Sequence, residues 1–218
     1  SQKKLWLVLS VGINLGFLGV FKYYNFFIDN IYYLFDAIGI SFLPKHLNWL
    51  LPLGLSFHTF QSIGYLIEVY TGRQKAEKHF GIYSLYIMFF PQLVAGPIEK
   101  PQQLLQQLKV KIQQARWANI EWTECFRLLL WGLLKKVVIA DRLALFINPL
   151  FRDSLQITSL EAWLAALLFA CQIYFDFSAY SQMAQGSALL FGVRLSENFK
   201  QPYLSQSFSE LWRNYHIS

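Results

Sequence analysis

Charge is scarce in this sequence. Of 218 residues only 15% are charged, against 55% hydrophobic and 18% aromatic, and mean hydropathy is +0.31. A soluble domain carries about 25% charged residues, so the scarcity excludes an ordinary soluble fold, and the apolar content excludes disorder. Cysteine is almost missing. Cys125 and Cys171 stand far apart inside apolar stretches, which excludes a disulfide scaffold and a four-cysteine zinc site. Histidine is nearly as rare: His46, His58 and His79 share no ligand-like spacing, and no metal is expected. Internal repeats are lacking, as is any low-complexity tract beyond the glutamines near residue 110.

What remains is apolar and basic. The net charge of +6 comes from 19 Lys+Arg against 13 Asp+Glu. The basic residues cluster between apolar runs, the pattern of loops facing a cytoplasmic leaflet rather than of a nucleic-acid surface. The chain therefore reads as an all-α, multi-pass membrane protein in a single domain over residues 1–218. Its start without methionine and its stop just after His216 suggest truncation at both ends.

A spanning helix needs about 20 mostly apolar residues. Leu5 to Phe21 is the first candidate, where Gly12 and Gly16 either form a small-xxx-small face for another helix or simply face lipid. Residues 29–48 carry Asp29, Asp36, Pro44, Lys45 and His46 and read as an interfacial connection. Trp49 to Tyr70 is the second span, with Pro52 in its first turn, where proline is tolerated. Phe80 to Val94 is a short third. The basic loop before it and residues 100–116 after it both read as cytoplasmic, which makes this third segment re-entrant, turning at Pro91 or at Gly96-Pro97. Residues 101–117 place Leu104, Leu105, Leu108 and Ile112 at helical spacing, as in an amphipathic surface helix. A fourth apolar helix covers Trp122 to Ile147, interrupted by Lys135, Lys136, Asp141 and Arg142, and a fifth runs from Leu160 to Leu190. The last segment, Ser205 to Ser218, is amphipathic and too short to span.

Ionisable groups inside lipid cost roughly 2.5–3.5 kcal/mol at a helix centre, so each needs a reason. Asp176 lies among aromatics, followed by Ser178 and Tyr180. It either pairs with a cation or orients a functional group, or it ties helices together by hydrogen bonds. His58, with Gln61 one turn on, either lines a cavity or is a packing histidine. His216 ends a short segment holding Glu210, Trp212, Arg213 and Tyr215. Histidine takes a proton from a hydroxyl near neutral pH, so His216 is the candidate base; a surface histidine on an interfacial helix is the alternative.

Five ordered blocks resemble the membrane-bound O-acyltransferase family, in its bacterial alginate O-acetylase-like branch. They are Leu51–Tyr70 (LPLGLSFHTFQSIGYLIEVY), Phe89–Ile98 (FFPQLVAGPI), Trp131–Arg142 (WGLLKKVVIADR), Tyr174–Ala184 (YFDFSAYSQMA), and Leu195–Ser205 (LSENFKQPYLS) running into Glu210–Ser218 (ELWRNYHIS). The resemblance implies a ring of helices around a tunnel. It implies transfer of an acyl group, acetyl in this branch, from acetyl-CoA or an acyl carrier on the cytoplasmic side to hydroxyls of an extracytoplasmic polysaccharide or other cell-envelope polymer. No bound cofactor is implied, and nucleic acid is not among the partners. Those are the lipid bilayer of the bacterial inner membrane, the polymer, an acyl-donor carrier and extracytoplasmic acetylation proteins. His216 matches the first of two family histidines, in the Trp-Arg-x-x-His motif; the second lies beyond residue 218. Arg213 and Asn214 would steer the donor or orient the imidazole, with Trp212 as a substrate-binding or supporting residue beside them. Pro91, Gly96 and Pro97 would shape the tunnel wall, and Asn198, Pro202 and Tyr203 would fix the loop before the last helix. Two other readings compete: a transporter or flippase, which shares broken helices and buried charge, and a non-catalytic carrier-binding membrane component.

Overall fold

The computed structural model describes residues 2–40, 45–49, 52, 54–93, 96–114, 120–152 and 157–217. Pro44, Leu51, Val94, Ala95, Arg116 and Ser218, which carry parts of the sequence argument, lie outside the described residues. Among the described residues all regular structure is helical, apart from an isolated antiparallel bridge between Phe199 and Tyr215. The backbone groups into two units, Ser1–Met88 and Phe89–Ser218.

In the first unit, α1 (Gln2–Leu18) passes through a π-helical turn (Gly19–Tyr23) into α2 (Tyr24–Ala37) without a break. The whole is 36 residues long and apolar enough to cross a membrane. At 1.5 Å per residue it reaches about 54 Å, well beyond a hydrocarbon core of about 30 Å. The expected break at residue 29 is therefore not found: the backbone stays helical to Ala37 and turns at Gly39, whose φ is +74°. Asp29 does not break the helix because His46 answers it, Nε2 to Oδ1 2.6 Å. Asn25 fixes the returning chain by two bonds, donating to the Leu47 carbonyl and accepting from its N–H.

Helix α3 (Leu55–Tyr70) packs along α1. It starts later than expected. Gly54 is left-handed at φ +73°, so Pro52 lies ahead of the helix and not in its first turn. Its buried residues are Thr59, Gln61, Ser62 and Tyr65, while Phe60 and Ile67 are exposed, a polar-inside arrangement suited to lipid surroundings. Gln61 donates to the Tyr86 carbonyl on α4 (Phe80–Ile87), 2.8 Å. Gly12, Gly16 and Gly19 face open space, and a Cβ at any of them would meet nothing within 4 Å. Of the two readings of Gly12 and Gly16, the close helix approach is not made there.

In the second unit, a 3₁₀ turn (Phe90–Gln92) precedes α5 (Pro101–Gln114). Leu104, Leu105 and Leu108 of α5 are buried within the protein, while Ile112 is exposed, so most of the apolar stripe serves packing rather than lipid. Helix α6 (Trp122–Leu134) continues through a π stretch (Lys135–Ala140) into α7 (Asp141–Arg152). Helix α8 (Ser159–Leu190) is the second helix long and apolar enough to span. A capping box starts it: Thr158 accepts from the Glu161 N–H, and the Glu161 carboxylate accepts from the Thr158 N–H.

Helices α6 and α8 run antiparallel and nearly touch. A Cβ at Gly132 would lie 2.8 Å from the Ala179 carbonyl oxygen and 3.1 Å from the Met183 nitrogen. One at Gly186 would lie 3.0 Å from the Cys125 carbonyl oxygen. Small residues thus bring the two backbones together, with Ser178, Ala179, Ser181, Ala184 and Ala188 of α8 buried and Trp163, Leu164 and Leu167 exposed. A second 3₁₀ turn (Pro202–Leu204) leads to the seven-residue α9 (Phe208–Asn214).

Candidate active site

His216 is presented by three devices. Ser207 caps α9 by accepting from the Glu210 N–H, and the helix stops at Asn214. The chain then pairs with the loop before it: Lys200 N–H donates to the Asn214 carbonyl (2.9 Å) and Ile217 N–H to the Asn198 carbonyl (3.0 Å). Between these bonds His216 takes a left-handed backbone, φ +60°, a region non-glycine residues seldom occupy. Its ring lies 5.0 Å, centroid to centroid, from Phe177 on α8. Phe177 belongs to an aromatic cluster: Phe199 is 5.1 Å from both Phe177 and Tyr215, and Tyr174 is 5.6 Å from Phe199 and 5.3 Å from Tyr203. Burial pushes the Tyr215 hydroxyl above its ordinary pKa, reinforced by Tyr203 and Tyr174, so the cluster supplies apolar support rather than charge.

A cavity of about 610 Å³ opens beside this cluster. Tyr174 and Phe199 belong to both. The rest of its wall is mixed: Ser178, Ser181 and Asn198 are polar, Leu128, Trp131, Leu189 and Leu195 are apolar, and Arg127, Lys135, Arg194 and Lys200 contribute cations. Asn198 is 1% exposed and donates to Ser181 Oγ at 2.9 Å, which ties the loop to α8. Ser178 is also buried and bonds its own helix at the Phe175 carbonyl, 3.3 Å. Of the residues expected at the site, Ser178 and Asn198 line the cavity; His216, Asp176, Trp212 and Arg213 do not. Trp212 and Arg213 are exposed on α9.

Asp176 pairs with a cation, one of the roles its sequence setting left open. Lys136 Nζ lies 2.7 Å from Asp176 and 2.8 Å from Asp141, and 5.2 Å from the centre of the Tyr180 ring.

The loop between α8 and α9 is held from a third side. Gln107 on α5 donates to the Arg194 carbonyl and accepts from its N–H, at 2.9 and 2.8 Å. Arg194 in turn pairs with Glu121. Glu99, 3% exposed, accepts from both the N–H and the hydroxyl of Ser196. Burial raises the Glu99 pKa, and the two Ser196 hydrogen bonds offset this in part. Pro91, Gly96 and Pro97 are all buried at the start of this unit. Gly96 has the tightest fit: a Cβ there would sit 2.5 Å from Gln92 Cα and 3.2 Å from the Ala184 Cβ of α8. The three residues shape a packed turn against α8 and do not line the cavity. His58 belongs to the first unit, half-buried in the first turn of α3.

Several contributors escaped sequence reasoning. Glu99 and Gln107 look like ordinary polar loop and surface residues, and only the fold aims them at Ser196 and Arg194. Gly132 and Gly186 carry a signal, glycine inside apolar helices, which Gly12 and Gly16 share without making such a contact.

A family model described as MBOAT, membrane-bound O-acyltransferase family, matches residues 79–218. The chain is 41% identical over 98% of its length to the "Probable alginate O-acetylase" of Pseudomonas putida, covering 43% of that protein. It is 35% identical over all of its length to the peptidoglycan O-acetyltransferase of Helicobacter pylori, covering 45% of it. To the teichoic acid D-alanyltransferase of Bacillus subtilis it is 26% identical over 80% of its length, covering 44% of it. The chain thus spans less than half the length of these curated relatives. It belongs to the membrane-bound O-acyltransferase family.

Proposed function

We propose that the whole protein is a multi-pass enzyme of the bacterial inner membrane that moves an acetyl group onto hydroxyls of an extracytoplasmic polysaccharide, alginate or another cell-envelope polymer. The donor is a thioester, acetyl-CoA or an acylated carrier, reaching the site from the cytoplasm through a tunnel. Extracytoplasmic acetylation proteins take part in handling the polymer. Family membership supports the reaction class, and the relatives named above are an alginate O-acetylase, a peptidoglycan O-acetyltransferase and a teichoic acid D-alanyltransferase.

The seat of His216 carries the reading. Its ring rests on an aromatic cluster that also walls the cavity. In the proposed step an imidazole nitrogen accepts the proton of the acceptor hydroxyl while that oxygen attacks the acyl carbonyl. The new C–O bond forms, the thioester C–S bond breaks, and the proton passes to the departing thiolate. The Phe177 ring supports one side of the imidazole, and the exposed remainder leaves it open to an approaching acceptor hydroxyl. Ser178 and Asn198 hold the cavity wall, while Trp212 and Arg213, beside His216 on α9, meet substrate.

The test is His216→Ala in the intact protein, scored by alkali-released acetate from isolated polymer and by the amount of protein in membranes. General-base contributions are about 10²–10⁴-fold, so ester should fall at least 100-fold with protein level near wild type. Wild-type ester would remove His216 from the chemistry.

A further inference from the structure

Lys136 sits where the helix geometry changes. Lys136 and Asp141 are five residues apart. In an α-helix five residues turn through about 500°, which leaves the two side chains about 140° apart around the axis. The π stretch Lys135–Ala140 winds with i→i+5 bonds and brings them onto one face, so that Nζ meets Asp141 at 2.8 Å. The same ammonium reaches Asp176 on α8 at 2.7 Å. One cation is thus shared by two carboxylates from two helices, with the Tyr180 ring beside it.

Its position along the α6–α8 seam gives the arrangement a purpose. Cys125 faces Gly186, Gly132 faces Ala179 and Met183, and Lys136 faces Asp176 and Tyr180. Steric contact between small residues holds the seam up to Gly132. Leu133, Leu134, Val137 and Val138 turn outward, and between Gly132 and the buried Ala140 the ion cluster makes the attachment one turn further along. That turn contains Phe177, the ring against which His216 packs.

We propose that Lys136 is a positioning residue: clamped between Asp141 and Asp176, it fixes the turn of α8 that carries Phe177 and thereby the orientation of His216. The proposal rests on His216 being the base. The π stretch is what allows one lysine to serve both helices. The arrangement requires a cation between two anions and does not require that cation to come from α6.

The experiment uses the intact protein in membranes and compares Lys136→Met, Lys136→Arg and the charge swap Lys136→Asp with Asp176→Lys. Two quantities are read. One is polymer-bound acetate per folded protein. The other is the rate at which diethyl pyrocarbonate modifies His216, followed by mass spectrometry with His58 as internal reference. In Lys136→Met, ester formation should fall at least tenfold and His216 should react at least threefold faster. Lys136→Arg and the swap should bring both back to within threefold of wild type. A clamp that only stabilises the fold would lower the melting temperature without changing the His216 rate relative to His58. An unchanged rate at His216, unchanged ester at a raised rate, or failure of the swap to recover overturns the proposal. If Lys136→Met does not accumulate, the swap decides: wild-type rate and ester support the clamp, and a raised rate rejects it. His216→Ala, run alongside, separates the two ideas, because wild-type ester there removes the base assignment while the reactivity result still reports on the clamp.

Discussion

Adding one methyl group at Gly132 tests how closely α6 and α8 are held. The new Cβ would lie 2.6 Å from Met183 Cγ, which can swing away, but also 2.8 Å from the Ala179 oxygen and 3.1 Å from the Met183 nitrogen, which cannot. Ordinary contact begins near 3.4 Å, so the helices must part by about 0.6 Å or the helix must bend. Overpacking of this kind costs about 1–3 kcal/mol. Alanine also gains about 1 kcal/mol in helix propensity over glycine, which would mask part of the loss. Gly12→Ala provides the control, because it carries the same propensity gain where nothing lies within 4 Å. The difference between the two variants isolates the packing loss. At about 2–4 °C per kcal/mol for a chain of this size, Gly132→Ala should melt roughly 2–12 °C below Gly12→Ala. Cys125 offers a reporter, since it is fully buried in the same seam. In a Cys171→Ser background a thiol-reactive dye should label it only on unfolding. Gly132→Ala melting level with or above Gly12→Ala would refute the close approach.

Two further outcomes concern the loop before α9. Because burial raises the Glu99 pKa in the folded protein, the folded state holds that proton more tightly than the unfolded chain. Stability from this group is therefore full below the ordinary carboxylate range and is lost as pH rises through the folded value; melting curves from pH 4 upward should show that decline in wild type and a flatter profile in Glu99→Gln. Gln107→Ala removes both bonds to the Arg194 backbone, which should cost about 1–2 kcal/mol and speed hydrogen exchange at the Arg194 amide.

Local chemistry made parts of this fold readable and hid others. The start of α8 is written in Thr158 and Glu161, a reciprocal cap that needs no distant partner. Its end is marked by Gly192, left-handed at φ +69°. Residues 29–37 were hidden because Asp29 and Asp36 look like interruptions, and the residue that satisfies Asp29 lies 17 positions away. The continuous path from α6 to α7 was legible as one apolar stretch, but the means by which Lys136 is tolerated was not, because one of its two carboxylates, Asp176, lies 40 residues on. At the site, the motif around His216 and the unusual Asp176 stood out by residue type. The backbone twist at His216 and the aromatic ring beneath it depend on the bridge from Phe199 to Tyr215, which no local pattern announces.

The left-handed backbone at His216 sets heat resistance against chemistry at one position. An L-residue with a side chain pays about 1–2 kcal/mol there that glycine does not, and asparagine tolerates the conformation better than most. A selection that rewards only survival on heating should therefore enrich glycine or asparagine at position 216 and yield sturdier, silent proteins. A selection for polymer esterification should hold histidine there at the expense of melting temperature. Stabilised versions of this protein are best sought with position 216 excluded from the library, because an easy gain in robustness lies at the residue proposed as the base.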